Sequence, residues 1–175
     1  MLDLEEMTLL AIMDEDEPTK GHWLRFWQRN YPLSQEIICS AHKPISEAIA
    51  SISQTITKIE TKVFIVTHGF GGIALLEWAK QASLLDQKQI CSSLVAAPTL
   101  KMPLPEHFYP ITINFPMLIV GSNNDTLCSL SCAQDLANKI NTRFYNAGNI
   151  GHINAQSNIG SWEQGMRLMQ ALLLT

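Results

Sequence analysis

Short apolar runs alternate along the chain with longer stretches of helical period. Lys62–Thr67 (KVFIVT) is the clearest strand, because Val63, Phe64, Ile65 and Val66 are apolar on both faces, as in a strand buried between two helical layers. Thr8–Met13, Gln35–Cys39, Ser92–Ala96, Met117–Val120 and Thr142–Tyr145 bring the expected strands to about six. Helical spacing marks His22–Arg29, Ile45–Ile59, Gly72–Leu84, Leu130–Ile140 and Trp162–Leu174. In the second of these, Ile45, Ile49, Ile52, Ile56 and Ile59 recur every three or four residues and form one apolar stripe. Strand and helix in alternation predict right-handed crossovers onto a mostly parallel sheet covered on both faces, a three-layer α/β domain spanning residues 1–175. The five prolines between Pro98 and Pro116 predict a long irregular connection.

Composition narrows the functional classes. The chain has 175 residues, 46% hydrophobic and 16% charged, enough apolar material for one sizeable core. No apolar run reaches the roughly 20 residues needed to span a bilayer, and the acidic start does not resemble a secretion signal, so a cytoplasmic, non-membrane protein is expected. Seven of the 16 acids fall within the first 17 residues, and from Pro18 onward nine acids face 12 bases, a net +3. No Lys/Arg cluster suits a phosphate backbone, so no nucleic-acid partner is expected. The four cysteines read as reduced thiols.

Ligands of an open parallel sheet bind beyond the C-terminal ends of its strands, so the residues just after each strand are the chemical candidates. These are Asp14 after the first strand, His68-Gly69-Phe70-Gly71-Gly72 after the third, Ala97 and Pro98 after the fourth, Gly121–Asp125 after the fifth and Asn146–His152 after the last. KVFIVTHGFGG followed by a helix has the layout of a nucleophile elbow, G-x-S-x-G, with Gly69 at the apex. Glycine tolerates the strained turn but offers no atom to attack a carbonyl. Read as a phosphate loop, GFGG lacks both the third spaced glycine and the Lys-Ser/Thr of nucleotide sites. Asp125 suits a triad acid, yet Asn123-Asn124-Asp125 also suits a turn, with Thr126 or Ser129 capping the next helix. His152 lies in a glycine-rich loop where a histidine can be simply structural. The chain order apex, Asp125, His152 matches that of hydrolases. His22, near the acidic loop, could pair with Asp14 or Asp16. Cys128 and Cys132 lack the further ligands of a zinc site, and no cofactor is expected.

Several words occur together and in order. GHWLRFWQ (Gly21–Gln28), VTHGFGG (Val66–Gly72), LVAAP (Leu94–Pro98), VGSNNDTLCSLSCAQDLA (Val120–Ala137), GHINA (Gly151–Ala155) and WEQG (Trp162–Gly165) run nearly from end to end. With them the chain resembles the YdeN-like small serine hydrolases, a group that includes the retinoblastoma-binding protein 9 family, within the α/β-hydrolase fold. The resemblance implies Asp125 as triad acid, His152 as general base and Gly69 at the nucleophile position, where the family has serine. The strand-end rule puts Asp14, His68 and Phe70 at the same pocket. The family's first strand leads through Pro-Gly into the oxyanion loop, whereas this chain has Met13-Asp14 and further acids, whose charge would repel a developing oxyanion. The expectation is a pseudoenzyme that binds a small molecule or protein segment. The alternative is a hydrolase of small carboxylic esters or amides using an unconventional nucleophile, with Thr67, Ser122, Cys128 and Ser129 as candidates, or a water activated by His152.

Overall fold

The computed structural model describes residues 6–15, 20–99 and 111–174. Six parallel strands, β1 (Met7–Asp14), β2 (Ser34–Cys39), β3 (Lys62–Gly69), β4 (Ile90–Pro98), β5 (Met117–Gly121) and β6 (Arg143–Asn146), form one sheet in the order β2-β1-β3-β4-β5-β6. The helices are α1 (Trp23–Asn30), α2 (Ile45–Lys58), α3 (Phe70–Gln81), α4 (Leu84–Lys88), α5 (Leu130–Lys139) and α6 (Glu163–Leu173). This is a three-layer, α/β-hydrolase-like fold.

Alternation along each strand divides the core between the two faces of the sheet. Leu10 and Ile12 of β1, Val63 and Ile65 of β3 and Met117 and Ile119 of β5 point to the layer of α2, α3 and α5. Leu9, Ala11 and Met13, with Phe64, Val66, Leu118 and Val120, point to the layer of α1 and α6. The α2 stripe buries Ile52 and Ile56 deeply and leaves Ile45 and Ile49 only partly covered.

The third predicted helix differs from the sequence reading at both ends. Helix α3 begins at Phe70, because Gly69 itself ends the strand at φ 58° and ψ −130° and acts as the helix cap. It stops at Gln81, and Ser83 then caps the separate short helix α4 by accepting a hydrogen bond from the Asp86 N–H. In the proline-rich connection, residues 100–110 lie outside the described residues. No helix among the described residues is long and apolar enough to cross a membrane.

Candidate active site

Parallel strands deliver their C-terminal ends to one edge, where Asp14, Gly69, Thr99 and the loops after β5 and β6 meet. The loops after β5 and β6 are stapled to each other. Asn123 N–H donates to the Gly148 carbonyl (2.8 Å), Gly151 N–H to Asn124 Oδ1 (2.7 Å), and Ile150 N–H to Ser122 Oγ (3.1 Å). These bonds set the position of His152, whose Nδ1 lies 2.8 Å from Asp125 Oδ2.

The two carboxylate oxygens of Asp125 have different partners. Oδ1 accepts from the backbone N–H groups of Leu127 (2.8 Å) and Cys128 (3.1 Å), as in a turn, while Oδ2 faces the imidazole. Ser129 caps α5, accepting from the Cys132 N–H. Burial pushes the Asp125 carboxyl up, but the hydrogen bonds from His152, Cys128 and Leu127 and the charge of His152 outweigh it and hold the group below its ordinary value. In the neutral ring, a carboxylate against Nδ1 keeps the proton on that nitrogen and leaves Nε2 as an acceptor.

The backbone of the histidine loop is pinned from beneath. His68 Nε2 donates to the His152 carbonyl (2.8 Å), and Trp23 Nε1 to the Ile153 carbonyl (2.6 Å). Trp27 Nε1 donates to the Ser161 carbonyl (2.7 Å), and Trp23, Trp27 and Trp162 pack as one aromatic cluster. His152 is flanked by Gly151 at φ 62° and by Ile153 at φ 51°, a left-handed conformation costly for a β-branched residue. Such strain persists only where the surroundings over-determine the backbone, as these bonds do.

His22, His68 and His152 form a row, with ring centroids 4.7 Å and then 4.9 Å apart. His68 is wholly buried, so it underlies the crevice without opening into it. Burial, then the charges of His22 and His152, push its pKa well down, partly opposed by its bond to the His152 backbone. His22 Nδ1 caps α1 by accepting from the Leu24 N–H (3.2 Å), and among the described residues no acid bonds to its ring; Asp16 lies outside the described residues. Burial, with Arg25 and His152 adding repulsion, lowers its pKa to about 4.

Gly69 and Asp14 are neighbours. A Cβ built on Gly69 would lie 3.4 Å from Asp14 Cβ, 3.7 Å from Asp14 Oδ2 and 3.4 Å from Thr99 Oγ1. Phe70, half-buried, opens α3 beside them. Beyond His152 a cavity of about 390 Å³ is lined by Asn124, Leu127, Gly151, His152, Asn154 and Gln156, among others.

The candidate substitute nucleophiles do not stand at the imidazole. Ser122 is fully buried, bonded to Asn124 and Gly148. Thr67 is buried facing Gly72, and Ser129 is occupied as a cap. Cys128 is buried, and burial together with Asp125 and Cys132 pushes its thiol up to about 12, opposite to the activation available at an exposed helix start. The hydroxyl that does face His152 belongs to Thr99, 3.4 Å from Nε2. It lies one residue past the pair Ala97-Pro98, and the rule that strand ends carry the site pointed to its neighbourhood.

A parallel sheet ending in a strained turn, with a carboxylate and an imidazole paired on the two following loops, defines a protein of the α/β-hydrolase class. Residues 15–171 match the serine hydrolase family, and the chain belongs to it. No curated protein matches the chain in sequence. Among solved structures, a provisionally assigned YdeN-like hydrolase of Pectobacterium atrosepticum is similar at 22% identity, covering 97% of this chain and 91% of that one with a TM-score of 0.84. The ydeN gene product of B. subtilis is similar at 14% identity, with 97% and 100% coverage and a TM-score of 0.72.

Proposed function

We propose that this chain is a YdeN-like member of the serine hydrolase family without acyl-serine chemistry, which binds a small molecule or protein segment in the crevice at His152. The observation that carries the reading is at the turn after β3. Gly69 takes the strained conformation, but its missing side chain leaves Asp14 and Thr99 around the place where a serine would stand. A carboxylate there opposes the negative charge that acyl transfer develops. The Asp125–His152 pair serves as a fixed polar element at the crevice, where Nε2, in loose contact with Thr99 Oγ1, accepts a donor from the ligand.

A second reading, hydrolysis of small carboxylic esters or amides, is favoured by the 2.8 Å Asp125–His152 contact, which leaves Nε2 in the acceptor state a general base needs. The two are separated by following the His152 ring nitrogens by NMR against small amides and short peptides, alongside nitrophenolate release from short p-nitrophenyl esters. Ligand-dependent shifts of the ring without sustained turnover are expected. Sustained, His152-dependent turnover would overturn the binding reading.

A further inference from the structure

We propose that Thr99 is an acyl-accepting residue of this crevice, its hydroxyl taking the place against His152 that Gly69 leaves empty. Three observations place it there. Thr99 Oγ1 lies 3.4 Å from His152 Nε2 and 3.4 Å from the position of a Cβ on residue 69, so it adjoins both the imidazole and the apex of the turn. Because Asp125 holds the ring proton on Nδ1, Nε2 is the acceptor and the Thr99 hydroxyl the donor, which is the polarity of a nucleophile–base pair. A separation of 3.4 Å is at the loose end of such contacts, which tighten when substrate binds.

The backbone is shaped to bring the hydroxyl in. In the β3–β4 ladder His68 pairs with Ala96 but Gly69 with Pro98, so Ala97 is an extra residue in the strand. Ala97 sits at φ 43°, an unfavourable conformation for alanine, and the Thr99 N–H then closes onto the Gly69 carbonyl at 3.2 Å. Bulges of this kind re-aim a side chain at the edge of a site. Were Ala97 paired in regular register with Gly69, Thr99 would be carried one position further past the apex.

With a small carboxylic ester, His152 Nε2 would take the Thr99 proton as Oγ1 bonds to the carbonyl carbon. The ester C–O bond then breaks, and the leaving alkoxide receives that proton from His152. Water, deprotonated by the same nitrogen, would release the acid and restore the hydroxyl. Asp14 Oδ2, 3.7 Å from the place of a residue-69 Cβ, opposes the anionic intermediates of both halves, so capture of reactive acyl or phosphonyl groups is favoured over rapid turnover.

This activity goes beyond ligand binding and is tested separately with a fluorophosphonate on the intact protein. Thr99 Oγ1 bonds to phosphorus, the P–F bond breaks, and the proton leaves with fluoride by way of His152. Intact mass and peptide mapping should show a single adduct on Thr99, retained in Thr99→Ser and reduced at least about tenfold in Thr99→Val and His152→Gln. An unlabelled wild-type chain, an adduct on another residue, or undiminished labelling of Thr99→Val would each overturn the proposal. Mapping on the wild-type protein decides the matter even if a variant folds poorly. Ligand-induced shifts of the His152 ring would survive that outcome, so the two failures are distinguishable.

Discussion

Acidification should destabilise the fold through His22, a group that takes no part in the proposed chemistry. Its ring is fully buried, and burial, Arg25 and His152 hold its pKa at about 4 against a reference of 6.5. Above pH 6.5 both folded and unfolded chains hold the ring neutral, and it adds no pH dependence. Between 6.5 and about 4 only the unfolded chain takes up the proton, so stability is lost as pH falls toward the folded pKa. A difference of about 2.5 units at roughly 1.4 kcal/mol per unit gives about 3 kcal/mol in all, of which some 2 to 3 kcal/mol is already lost at about pH 4.5. His22→Asn separates this effect from the others, because asparagine keeps the acceptor that caps α1 at the Leu24 N–H but does not titrate. Urea unfolding at about pH 7 and about pH 4.5 supplies the comparison. The variant starts less stable, having lost ring volume, but should lose about 2 kcal/mol less than wild type between the two conditions. His68, also held in its neutral form, is common to both proteins and cancels. Equal losses in the two proteins would refute the reasoning and mean that the buried ring is reached by solvent or by a compensating acid.

Two substitutions at the turn test its packing and its chemistry. Gly71→Ala would set a methyl group 2.3 Å from the Ile12 carbonyl oxygen, so backbone must move, and a loss of about 2 kcal/mol or more is expected in chemical denaturation; an unchanged midpoint would show that α3 can lift off β1 at little cost. Gly69→Ser meets ordinary contacts at 3.4 Å but must hold a side chain at φ 58°, so it should melt a few degrees lower, for a cost of about 1 to 2 kcal/mol. Its ester turnover should stay near background until Asp14→Gly is added. Robust turnover by the single variant, read as nitrophenolate release, would remove Asp14 from the account.

The continuous apolar run of KVFIVT, entering a glycine turn and then a helical stretch, determined by itself that β3 lies between two helical layers and that Gly69 stands at a tight turn, whereas the start of α3 at Phe70 with Gly69 as its cap was decided by the backbone of the turn. Chain order likewise brought Asp14, Gly69, Asp125 and His152 to one edge, because parallel strands all end on the same side. Local composition could not choose between turn residue and triad acid for Asp125, and tertiary structure showed that one oxygen accepts from the turn backbone while the other faces the imidazole. Nor could it reveal the row of His22, His68 and His152, whose members are brought together from three segments by α1 crossing beneath the histidine loop. Thr99 depended most on the fold. Its approach to His152 requires an extra residue at Ala97, and a one-residue change of register leaves no mark on hydrophobic periodicity yet decides which side chain reaches the imidazole.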